Sequence, residues 1–193
     1  AVVDALVENR QLIKADGGQV LLTANAGEAL LKTVVNNTGV IEAQTLGEKD
    51  GKIVLLGSFD GGTVQVAGTL DASAPKGGNG GFIETSGAHV KVADSAKVTT
   101  KAQNGKSGTW LLDPTDFTVS AGSSAASSSG IGASTLAANL QNGNVTLQTV
   151  SSGSANGDIN VDAAVSWSAD TTLTLNAHGD LYLNAPITAT GNS

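Results

Sequence analysis

The residues best placed to do chemistry lie in WLLDPTDF, where Asp113 and Asp116 stand three apart beside a strand end. Two carboxylates so placed are the pattern of a polysaccharide hydrolase, one as acid and one as base. The same spacing around Pro114 also makes a turn, with Asp116 bonding local backbone ahead of a strand from Phe117, and the turn is the reading adopted. A lyase would add basic residues near calcium, whereas the chain has a single arginine, Arg10. GGNGGFIET from Gly77 approaches a calcium nonapeptide but puts Phe82 where the ligand aspartate belongs. GKS at Gly105–Ser107 lacks the glycine five positions earlier that a phosphate loop needs, Thr100 standing there. His89 and His178 are too far apart in sequence to read as a metal pair. The chain is therefore expected to hold no catalytic residue, cofactor or metal. The sequons Asn36-Asn37-Thr38 and Asn144-Val145-Thr146 make Asn36 and Asn144 candidate glycan acceptors.

The elements that must position these residues repeat one phrase. A glycine turn precedes a short alternation of apolar and polar residues, as in GKIVLLG from Gly51, GGTVQVAGTLDAS from Gly61 and GDINVDAAVSW from Gly157. Period-two alternation buries one face of a strand, and turns this frequent leave no room for helical crossovers. Parity survives the turns. Val64, Val66, Leu70 and Ala72 share one face, as do Ile159 to Trp167 and the series Leu173, Leu175, Leu181, Leu183 and Ile187. The spacings Val64 to Ile83, Leu70 to Val90 and Val165 to Ile187 suggest a repeat of about 20 residues, three short strands to a coil. The fold class expected is all-β, a parallel β-helix. At about 4.8 Å per coil it would have about nine coils and a length of about 45 Å. A leucine-rich repeat has a similar period, but its template is absent.

Composition agrees with a narrow core: 25 glycines, 3% aromatic residues and 40% hydrophobic residues. Trp167 shares the inward parity of Ile159 to Val165, whereas Trp110 sits on the parity of Leu112, and each reads as a core anchor that fills a wide coil or covers an end, in preference to a sugar-stacking platform. Asn176 and Asn184, each closing a strand phrase, are expected to turn corners by bonding backbone. With no cysteine, disulfides and thiolate chemistry are excluded. A net charge of −7 argues against nucleic acid or anionic membrane as partner. No basic-then-apolar leader opens the chain, so it reads as beginning inside a longer one.

Two stretches break the rhythm. Residues 27–33, GEALLKT, suit either a short helical turn or an irregular strand. Residues 121–142 begin as a Ser/Gly/Ala loop and continue as TLAANLQN, a short helix that Ser134 would cap and whose Leu136 and Leu140 share a face. The organisation expected is coils over 1–120, an excursion over 121–142 and further coils over 143–193. The excursion could equally divide two stacks.

GGQVLLTANAGEALLKTVVNNTGVIEA, GEKDGKIVLLG, GGTVQVAGTLDAS, GTWLLDPTDFTVS and AVSWSADTTLTLNAHGDLYLNAPITATG, in this order, resemble the shaft of filamentous-haemagglutinin-like exoproteins, passengers of two-partner secretion in Gram-negative bacteria. The resemblance covers nearly the whole chain. It implies a right-handed parallel β-helix, export through an outer-membrane pore, an extracellular or cell-surface location, and a structural and adhesive shaft serving adhesion, aggregation, biofilm formation or contact-dependent inhibition. The partners implied are that pore, engaged by a region lacking here, and a surface receptor or glycan, with self-association along the rod a further expectation. The Asn-Pro motifs of the family's secretion domain are missing, since the three prolines follow Ala74, Asp113 and Ala185. Two other functions fit the same fold: a carbohydrate-active enzyme, with carboxylates stacked on successive coils in an exposed cleft, and a ligand-capturing passenger, such as one that binds haem carriers, with residues 121–134 as its loop.

Overall fold

Each strand phrase becomes a strand, and equivalent strands stack in parallel. The computed structural model describes residues 7–24 and 35–191, and the stretch 27–33 lies outside them. Strand accounts for 46% and helix for 5%. The first coil is β1 (Val7–Asn9), β2 (Leu12–Lys14) and β3 (Gln19–Thr23), and the second is β4 (Val35–Asn37), β5 (Val40–Glu42) and β6 (Lys52–Leu56). The third is β7 (Thr63–Val66), β8 (Thr69–Asp71) and β9 (Phe82–Ser86), and the fourth β10 (His89–Val92), β11 (Lys97–Thr99) and β12 (Thr109–Asp113). After these come β13 (Phe117–Ser120), β14 (Gly130–Gly132), α1 (Ala133–Leu140) and β15 (Asn144–Gln148). The remaining strands are β16 (Ile159–Val161), β17 (Val165–Trp167), β18 (Leu173–Asn176), β19 (Leu181–Leu183) and β20 (Ile187–Ala189).

The first strands of the coils form one eight-stranded sheet, β1-β4-β7-β10-β14-β13-β16-β19, and the third strands a six-stranded sheet, β3-β6-β9-β12-β15-β18. The second strands form a four-stranded sheet, β2-β5-β8-β11, with the pair β17-β20 further along. The fold is a parallel β-helix. Its repeat is longer than the sequence spacing suggests. Val64 faces Val90, 90 − 64 = 26 residues later, and Leu70 faces Val98, 98 − 70 = 28 residues later. A spacing near 20 holds only in the last turn, where Val165 faces Ile187 and Ile159 faces Leu181, each 22 residues later. Elsewhere it measures neighbouring strands of different sheets, so the coils are fewer than nine and the eight-stranded sheet spans about 34 Å at about 4.8 Å per strand.

Inward parity holds: Val64, Val66, Leu70 and Ala72 are all fully buried, with Thr63, Gln65, Thr69 and Asp71 partly open on the other face. Trp110 and Trp167 are buried core, and their indole N–H groups donate to Thr85 Oγ1 and the Thr171 carbonyl, both at 3.1 Å. The recurrent glycine has a stacking reason. Gly51, Gly81 and Gly108 sit one above another at the corner before the third strand, where a Cβ on Gly81 would lie 2.1 Å from the Gly51 carbonyl oxygen and one on Gly108 1.9 Å from that of Gly81. At the corner after the first strand, buried Asn9 and Asn37 form a ladder: Asn9 Nδ2 donates to Asn37 Oδ1 at 2.8 Å and Asn37 Nδ2 to the Gly39 carbonyl at 3.2 Å. That corner task was expected of Asn176 and Asn184, but both are exposed and reach across coils, to Gln148 Oε1 and Asp162 Oδ1.

The excursion of residues 121–142 is built into the stack. The chain runs from β12 to β13, doubles back through an exposed loop, and enters the sheet as β14 between β10 and β13. Ser120 Oγ clips the loop, accepting from the Ala126 amide at 3.0 Å and donating to the Ser124 carbonyl at 3.2 Å. The solvated loop therefore ends near Ser128, before the buried strand. α1 then takes the place of a second strand, packing between β11 and β17 with Leu136 and Leu140 fully buried. Its N-cap is Gly132 without a side-chain bond, and Ser134 lies inside the helix with its amide bonded to the Gly122 carbonyl. Thr135 Oγ1 instead ties the first turn to the Ser123 carbonyl at 2.7 Å. A helix of eight residues is too short to persist alone and is held by its packing.

Candidate functional site

β9, β12, β15 and β18 lie side by side, and their outward residues form a polar row at one end of the six-stranded sheet. Asp113 is opposite Ser86, and Gln148 is opposite Asn176. Ser86 Oγ donates to Glu84 Oε1 at 2.8 Å, Gln148 Nε2 to Asp113 Oδ2 at 3.4 Å, and Asn176 Nδ2 to Gln148 Oε1 at 3.4 Å. Asp113 Oδ1 is buried without a hydrogen-bond partner. Burial, and secondarily the Glu84 carboxylate, raise the Asp113 carboxyl above the ordinary aspartate range, against the opposing pull of Gln148. Glu84, Ser86 and Gln148 were invisible to the sequence reading because only the true coil spacing aligns them.

Asp116 does not join this row. Its Oδ1 accepts from the Gly157 and Asp158 amides, both at 2.9 Å, so it fastens β13's corner to the next coil and not to local backbone as expected. The two aspartates of WLLDPTDF thus part: Asp113 faces out from the sheet and Asp116 serves a corner.

The raised Asp113 carboxyl carries a pH prediction. A carboxyl whose folded-state pKa exceeds its unfolded value favours folding most at low pH, and that contribution is lost as pH rises from about 4 through the folded value. Asp113→Asn should raise the urea midpoint at pH 7 and bring little change at pH 3. An equal shift at both pH values would show that ionisation of Asp113 is irrelevant to folding.

On the neighbouring corner a cavity of about 300 Å³ is lined by Phe59, Asp60, His89, Thr115 and Ser152 among others. The turns that wall it are joined where Ser152 Oγ donates to the Phe59 carbonyl at 3.2 Å. His89 lies in this cavity, whereas His178 is exposed on another turn, so the two are not brought together. Among the described residues no group of three His, Cys, Asp or Glu side chains could hold a metal ion. No helix among them is long and apolar enough to cross a membrane.

Both sequon asparagines are half-buried. Asn144 Nδ2 donates to the Ser107 carbonyl at 3.1 Å while its Oδ1 accepts from the Thr172 amide at 2.9 Å, clamping three coils. Asn36 Nδ2 donates to Glu8 Oε1 at 3.3 Å, and its Oδ1 is buried without a partner. A glycan on Asn144 would have to displace the Ser107 bond.

No protein-family model, curated protein or solved structure matches the chain.

Proposed function

We propose that the chain is a structural and adhesive shaft segment of a large bacterial exoprotein of the filamentous-haemagglutinin-like class, displayed outside the cell after passage through an outer-membrane pore. The observation that carries this reading is the coil-to-coil use of polar side chains: Asp116, Asn144, Asn9 and Asn37 all bond across neighbouring coils. Such bonds resist shear between layers and suit a spacer that carries load along its axis. The ordered set of phrases from GGQVLLTA to NAPITATG adds the family resemblance. A receptor or surface glycan is the partner this role requires.

One observation favours a carbohydrate-active enzyme: Asp113, with its raised carboxyl, has Glu84 beside it on the next coil. The two readings separate in one experiment. The purified chain is incubated with acidic and neutral polysaccharides and assayed for reducing ends and unsaturated products, and chain-coated beads are scored for attachment to cells. A shaft gives attachment and no products. Asp116→Asn keeps an acceptor oxygen for the Gly157 and Asp158 amides, so both results should persist in that variant. Cleavage of any polysaccharide that Asp113→Asn abolishes would replace the shaft by an enzyme.

A further inference from the structure

Two long turns arch over two short ones on one corner of the stack. The connections from the six-stranded to the eight-stranded sheet are residues 57–62 after β6, 87–88 after β9, 114–116 after β12 and 149–158 after β15. β6 and β15 are three strand spacings apart, about 14 Å, yet the two long turns meet through the bond from Ser152 Oγ to the Phe59 carbonyl, across 93 residues of chain. The short turns between them form a floor. There Thr115 is buried and holds the Ala88 carbonyl with both its amide, at 3.2 Å, and its hydroxyl, at 2.8 Å. The cavity of about 300 Å³ is the space between floor and arch.

Its walls are fixed in the free protein. The Asp60 amide donates to Ser58 Oγ at 3.1 Å, and the Ala155 amide donates to the Ser152 carbonyl at 3.1 Å, closing a tight turn with Gly153 in the left-handed region. Three polar side chains that line the cavity stay available: the Asp60 carboxylate, the His89 imidazole and the Ser154 hydroxyl have no hydrogen-bond partner among the described residues. No lysine or arginine lines it, so an anionic ligand would meet the Asp60 carboxylate with no fixed cation to offset it. Asp60 and His89 are too few to hold a metal ion. An uncharged ring carrying several hydroxyls suits what remains, since it can donate to Asp60, exchange bonds with His89 and Ser154, and lay its C–H face on Phe59. The volume lies at the small end of ligand pockets, with room for one such ring and none for a folded partner.

We propose that this arched cavity binds one neutral hexopyranose unit of a surface glycan. The inference rests on the adhesive reading for the source of the sugar, and on the cavity alone for its chemistry. The probes are the methyl α-glycosides of glucose, mannose and galactose, with glucuronic acid and N-acetylneuraminic acid as charged counterparts. Saturation-transfer difference NMR on the chain with each probe at about 10 mM, a concentration matched to the millimolar affinity of a single ring, should give transfer from at least one neutral glycoside and from neither acid. Amide shift changes should be confined to residues 57–62, 87–89, 114–116 and 149–158. Asp60→Ala, at an exposed position, should keep the wild-type far-UV spectrum and weaken binding about tenfold, and Phe59→Ala should weaken it about fivefold. No transfer from any of the three glycosides, equal transfer from either acid, shifts elsewhere on the rod, or binding indifferent to Asp60→Ala would each overturn the proposal. Attachment of chain-coated beads to cells without glycoside binding would strike the cavity and leave the shaft, whereas glycoside binding without attachment would uphold the cavity and strike the adhesive reading.

Discussion

Val66→Asp is expected to destabilise the fold by about 4 kcal/mol or more, because it puts a carboxylate where no water and no cation can reach it. Val66 is fully buried, between Asn37 on one neighbouring strand and Val92 on the other. A domain's whole stability is about 5–15 kcal/mol, so much of the variant should be unfolded under mild conditions. Gln65→Asp, one residue away on the outer face, is the control and should shift the urea midpoint very little. Comparable losses at both positions would mean that the strand face is assigned wrongly.

Asn139→Leu should cost about 3 kcal/mol, through backbone groups of a different element. Where α1 replaces a strand, the edge of the four-stranded sheet would lose its partners. Asn139 supplies them: its Oδ1 accepts from the Val98 amide at 2.7 Å and its Nδ2 donates to the Ala96 carbonyl at 3.3 Å. One buried side chain thereby imitates a passing strand. Leucine leaves both backbone groups unpaired, at about 1–3 kcal/mol each before any gain from the added apolar surface. Val98 amide exchange should quicken in the leucine variant relative to wild type. A Leu variant as stable as wild type, with Val98 still protected, would show that the helix does not seal the sheet edge through this residue.

Asn139 marks the boundary of what the sequence discloses. Strand faces were legible because alternation is local: Val64, Val66, Ile159 and Trp167 point inward as their parity requires. The coil length was not, because turns of unequal length separate the strands. The Val64 to Ile83 spacing joins strands of different sheets, whereas Val64 actually faces Val90. With the wrong period, Asp113 could not be set beside Ser86 and Glu84, and Asp116 looked like a local turn residue although its partners lie at Gly157 and Asp158. The helix was visible in Leu136 and Leu140, four apart. Its substitution for a strand was not, because the need for Asn139 arises only from the unpaired edge of β11.

The central claim is that the chain is a stack of parallel coils whose register sets Gln65 beside Lys91. Nitroxide spin labels on cysteines placed at these two outward positions test it directly, since adjacent strands are about 4.8 Å apart and labels at that range broaden each other's continuous-wave spectra. The Gln65/Lys91 pair should show strong spin–spin broadening relative to each single label, and a Gln65/Glu84 pair, matching a repeat of about 20 residues, should show none. Broadening in the Gln65/Glu84 pair and its absence in the Gln65/Lys91 pair would contradict the register, and with it the placement of every side chain discussed above.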